Sequence, residues 1–157
     1  MAIASHLGSW LLGTVKNTTG TTAGTIRNMG ATTVAQQANI AYTDAASSTA
    51  FVLPAGALIT RIQVITTATF SAATTITLSI GSTAISTAST ITTLGANAVA
   101  VAATTGATAL IANVGSTDAI VTYTVSGTSL TTGTGVLVIE YIVRNADGTY
   151  NPTAYTA

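Results

Sequence analysis

The sequence predicts an all-β, antiparallel sandwich of about eight strands, and three features carry that prediction. Alternating apolar and polar runs recur along the chain, with a period of two. Turn signals rich in Gly, Ser, Asn and Asp separate them at roughly the 8–12 residue spacing of sandwiches and barrels. Thr and Ala dominate the composition, followed by Ser, Gly, Val and Ile, and the β-branched members of that set fit a pleated surface. No convincing amphipathic helix longer than a turn or two is present.

Taken in order, residues 1–30 are the least patterned. SWLLGTV leads into the Thr- and Gly-rich NTTGTTAGT, whose few apolar side chains offer little to offset the entropy of ordering it. This segment reads as a partly extended amino-terminal arm, ahead of a sandwich domain over 31–148 and a tail over 149–157. The first strand is VAQQANIAY. Val34, Ala38, Ile40 and Tyr42 share one face, and Ala35, Gln37, Asn39 and Ala41 share the other.

Residues 51–81, FVLPAGALITRIQVITTATFSAATTITLSIG, organise the chain. A strand over 49–53 ends at Pro54, which cannot donate to a ladder, and Gly56 permits a tight reversal. Residues 58–70 suit one bent strand, with Leu58, Ile62 and Val64 on one face and Ile59, Arg61, Gln63 and Ile65 on the other. Ile76, Leu78 and Ile80 then alternate with Thr77 and Ser79. Beyond Gly81 the rhythm weakens. TAIST and TITTL read as strand pieces, Gly95-Ala96-Asn97 as a turn, AVAVAA as a strand, and 110–114 as another short strand. The clearest later strands are 118–125 and 136–144, separated by SGTSLTTGTG, which reads as a flexible loop. The second is apolar on both faces apart from Glu140, the pattern of a strand in the middle of a sheet.

Composition excludes several functions. The 157-residue chain has the length of one domain, and only 5% of it is charged, about a fifth of the usual share. Lys16, Arg27, Arg61 and Arg144 balance Asp44, Asp118, Glu140 and Asp147. Four scattered cations cannot neutralise a phosphate backbone, so nucleic acid is not an expected partner. The mean hydropathy of +0.59 arises from alternating apolar residues, and no run approaches the roughly 20 residues of a membrane span. The opening MAIASHLGSWLLGTVK has no basic residue before its apolar part, so an export signal is not expected. With no cysteine, neither disulfides nor thiolate metal sites are available. Outer faces dressed in Thr instead of Lys and Glu are weakly solvated and suited to packing against a partner.

Few residues are candidates for chemistry. His6, the single histidine, has no companion ligands nearby in sequence, so no metal or cofactor is expected. A hydroxyl nucleophile would depend on that same histidine. Asp118 and Glu140 form the one plausible carboxylate pair for acid–base work. The alternative roles are structural: Asp118 as a turn or strand-start residue, Glu140 as an ion-pair partner of Arg61 or Arg144. Aromatics outside the expected core suggest partner contacts, namely Trp10 in the arm and Tyr150 and Tyr155 in the tail, with the cations Lys16 and Arg27 beside Trp10 in the arm. The alternative is that these aromatics tuck back over the ends of the sandwich; on the first reading the two termini are docking arms, and no catalysis is expected.

The organising stretch resembles a recurrent signature of small structural proteins of tailed bacteriophages. In it an apolar strand ends in Pro-Ala-Gly-Ala, continues as Ile-Thr-x-Ile-x-Val-x-x-Thr-Thr, and after a short loop reaches Thr-x-x-Leu-x-Ile-Gly. The matching residues are 53–57, 59–67 and 75–81, and the resemblance covers about a fifth of the chain. It implies a jelly-roll-like sandwich, commonly trimeric, that decorates the outside of a phage head as a cement protein and bridges subunits of the major capsid protein. The implied location is the virion, after synthesis in the host cytoplasm. The Thr- and Gly-rich first third has no match in the signature. The alternative is a receptor- or carbohydrate-binding module of a phage fibre or adhesin, for which Tyr123 and Tyr141 are the only aromatic platforms on clear strands.

Overall fold

The computed structural model describes residues 32–144, which form nine antiparallel strands and one short helix in two packed sheets. The first sheet has the order β1 (Thr33–Ala41), β9 (Thr134–Ile142), β3 (Leu58–Ala68), β7 (Gly95–Ala98). The second runs β2 (Ser48–Leu53), β8 (Ala119–Ser126), β4 (Thr75–Ile80), β5 (Thr83–Ala84), with β6 (Ser89–Thr90) also paired to β4. Helix α1 (Thr105–Ala112) connects β7 to β8.

The pairs are nested. β1 pairs with β9, β2 with β8, β3 with β7, and β4 with β5 and β6. A long hairpin folded upon itself and then rolled up produces this nesting, and the β3–β9 and β4–β8 contacts close the roll. With β5 and β6 as two halves of one edge strand, this is the eight-position jelly roll.

The core lies between the sheets. Ile40, Ile59, Ile62, Val64, Leu137, Ile139 and Tyr141 face inward from the first sheet, and Phe51, Leu53, Ile76, Leu78, Val121, Tyr123 and Val125 from the second. β9 is interior to its sheet, as its two apolar faces predict. Thr66, Thr74, Ser86 and Ser89 are also buried, and each hydroxyl is bonded. Ser86 Oγ, for example, accepts from Leu78 N–H at 2.8 Å, which avoids the cost of a buried unpaired polar group.

Four local expectations are corrected. First, a register shift between Ile59 and Arg61 turns Ile59 inward and leaves Leu58 only partly buried, the reverse of simple alternation. Second, residues 110–114 are not a strand. Thr104 caps α1 by accepting from Ala107 N–H at 3.3 Å, and Leu110 and Ile111 lie within the helix. Third, the expected turn at Gly95-Ala96-Asn97 is strand β7, held by the Asn97 amide, which donates to Thr93 O, Gly95 O and Thr66 Oγ1. Fourth, the loop after β8 is pinned. Ser71 Oγ accepts from Thr131 N–H at 2.9 Å and from Thr132 N–H at 3.2 Å, and Ser71 N–H donates to Thr132 O.

Candidate functional site

The Pro-Ala-Gly-Ala corner between β2 and β3 is held by hydrogen bonds to segments distant in sequence. Ala57 N–H bonds Pro54 O at 3.1 Å, closing a turn in which Gly56 takes φ 75°, the positive value that type II geometry needs at its third position. Two other segments converge on it, the loop between α1 and β8 and the residue just past β9. Gly56 N–H bonds Gly115 O at 2.8 Å, Val114 N–H bonds Ala57 O at 3.1 Å, and Ala55 N–H bonds Asp118 Oδ1 at 3.0 Å. Arg144, just past β9, donates from Nε to Gly56 O at 2.9 Å and from Nη2 to Ala112 O at the end of α1. One guanidinium therefore joins the corner, the helix and the last strand.

This end of the sandwich is also where the described chain starts and stops. Thr33 opposes Ile142 across β1 and β9, and Leu58 opposes Ile142 from β3. Thr33 and Ile142, close to the two ends of the described chain, thus lie side by side at the corner end.

Asp118 and Glu140 have separate tasks. Asp118 accepts from the corner backbone, while Glu140 lies on the outer face of the first sheet opposite Arg61, with Nη1 to Oε1 at 3.7 Å. Arg61 is more than half exposed, so that ion pair contributes little to stability. Asp118→Ala should lower stability by about 0.5–1 kcal/mol, since water can reach Ala55 N–H in this exposed bond, whereas Asp118→Asn keeps an acceptor and most of the stability. Urea denaturation distinguishes the two; equal losses would remove the corner role from Asp118.

The strand tyrosines point inward. Tyr123 and Tyr141 are about 5% and 4% exposed, so neither ring face is open to a sugar. Tyr141 Oη accepts from Gln36 Nε2 at 2.7 Å, and Gln36, on the inner face of β1, also donates to Val52 O. Tyr123 donates to Asp44 Oδ2 at 2.6 Å, and the same oxygen accepts from Ala41 N–H at 2.7 Å, fastening the β1–β2 loop to β8. Burial first, then the hydrogen bond and charge of Asp44, push the Tyr123 phenol up to about 12 from its ordinary 10.0. The folded state therefore holds this proton more tightly than the unfolded chain. The resulting stabilisation is complete below pH 10 and is lost as pH rises through 12. The thermal midpoint should fall more steeply over that window in the wild type than in Tyr123→Phe, and equal slopes would contradict the assignment.

Among the described residues no group of three or more His, Asp or Glu side chains is placed to hold a metal, and no helix is long and apolar enough to cross a membrane. The other predicted site residues, His6, Trp10, Lys16, Arg27, Tyr150 and Tyr155, lie outside the described residues, as do the expected arm and tail. Sequence reasoning missed Arg144 as an anchor, Ser71 as a loop clamp and Gln36 as an inner-face amide. Each acts through backbone or side-chain partners distant in sequence, for which no local pattern exists.

Within this architecture, fold and site define a charge-poor jelly-roll sandwich cross-braced at one end. Comparisons with protein-family models, curated proteins and solved structures gave no match to this chain.

Proposed function

We propose that this chain is a virion structural protein, a decoration or cement protein that binds the outer surface of a phage head and bridges subunits of the major capsid protein. The observation that carries this reading is the Leu-Pro-Ala-Gly-Ala corner with its two following strands. It is the stretch that resembles phage structural proteins, and in this fold it braces the end of the sandwich at which the described residues begin and stop. A scaffold braced there can bear load applied at that end. Such a protein works by engaging several subunits at once, so that modest contacts add through effective concentration. Thr-rich outer faces with few charges favour packing against a protein lattice over steering towards a charged ligand. The jelly roll by itself is compatible with many functions, and the reading does not rest on it.

The test adds the purified protein to heads that lack it. Saturable co-sedimentation, together with a higher temperature for DNA release, is the expected result. Absence of binding to heads, combined with a positive glycan array, would replace this reading by the fibre-module alternative. That alternative would then have to use aromatics other than the buried Tyr123 and Tyr141.

A further inference from the structure

Each sheet ends on two edges, and the fold treats the four differently. β7 is four residues long, and β5 and β6 are two each. β2 carries a register shift between Thr49 and Phe51 and runs into Pro54. Short, bulged or proline-ended edges resist the addition of another strand. β1 has none of these protections. It is nine residues long, pairs with β9 without a break over all nine, and contains neither charge nor proline.

The ladder fixes which of its backbone groups face outward. Tyr42 N–H bonds Gly133 O on the β9 side, whereas Ala41 N–H turns the other way, to Asp44 Oδ2. Antiparallel pairing alternates strictly, so Thr33, Ala35, Gln37 and Asn39 direct N–H and C=O away from β9. Asp44 closes this row at Ala41, and among the described residues no strand lies beyond it.

We propose that this edge pairs with β1 of a second copy, antiparallel about a two-fold axis, joining two four-stranded sheets into one of eight. The edge is self-complementary. With Gln36 at the axis, Thr33 meets the partner's Asn39 and Ala35 meets the partner's Gln37. All four outward residues then exchange both of their bonds, about eight in total. In the same register Val34 meets the partner's Ala38, so core-facing residues remain on the core side and outer residues on the outer side. An uncharged strand suffers no like-charge repulsion when it meets itself, which a Lys-bearing edge would. Two-fold pairing is the commonest closed symmetry and needs a single self-matching surface. It differs from the three-fold arrangement that the phage resemblance implies, and it does not depend on the capsid reading.

The test is analytical ultracentrifugation of the full chain at micromolar concentration. The expected mass is twice the 15.5 kDa of one chain. Gln37→Lys, which brings two cations close together across the axis, and Ala35→Pro, which deletes an outward N–H without touching the β9 ladder, should each weaken the dimer at least about tenfold. Gln37→Ala should leave it intact. Circular dichroism melting of dilute samples, in which all proteins are monomeric, checks that the variants fold. A wild-type monomer or trimer at micromolar concentration, or a dimer indifferent to both folded variants, would overturn the proposal.

Discussion

Gly133→Ala is expected to lower stability by about 3–5 kcal/mol, enough to abolish the folded state of a marginally stable domain. Two costs coincide at this position. Gly133 has φ 129°, in the region that residues with a Cβ rarely adopt. A Cβ there would also lie 2.2 Å from Cδ1 of Phe70 and 2.7 Å from its Cα. The ring could swing aside only by leaving a buried position, and the Cα belongs to the backbone, so the overlap cannot be relieved by a rotamer change. Gly81→Ala separates the two costs, because Gly81 has φ 57° but open space around it. Its expected loss is about 1–2 kcal/mol. Equal losses at the two positions, by urea denaturation, would mean that the contact with Phe70 is not tight.

Phe51→Ala should cost about 3–5 kcal/mol, because the ring is 3% exposed between the sheets and its removal leaves a cavity that neighbouring strands cannot collapse into. Its neighbour supplies the control. Val52 lies on the outer face at 52% exposure, opposite Ile120, so Val52→Ala should change stability by no more than about 0.5 kcal/mol. The contrast tests the register of β2, whose shift between Thr49 and Phe51 decides which residue of the stretch enters the core. If Val52→Ala proved the costlier change, the strand would be one residue out of place.

What the sequence reveals follows the range of the interaction involved. Ile76 and Leu78 alternate with threonines, and each turns out to face the core, because burial on one face of a strand is a period-two property. Alternation places Leu58 on the face of Ile62 and Val64 and Ile59 on the other, and the bulge opposite Glu140 reverses the two. Leu110 and Ile111 resemble a strand until Thr104 is recognised as a helix cap, and the helix is too short to show a clear stripe. The jelly-roll order itself is not a pattern in the residues. It depends on pairings such as Thr33 with Ile142, whose members are far apart along the chain, and the resemblance of 51–81 supplied it where periodicity could not. The corner shows the same division. Pro54 and Gly56 announce a turn, but the convergence of Gly115, Asp118 and Arg144 upon it is tertiary.

A reconstruction of phage particles assembled in the presence of this protein tests the proposed role most directly. The predicted result is a two-sheet density on the outer surface of the head, with the Pro54–Gly56 corner end turned towards the shell. Density for this chain on a tail fibre, or none on the particle, would contradict it.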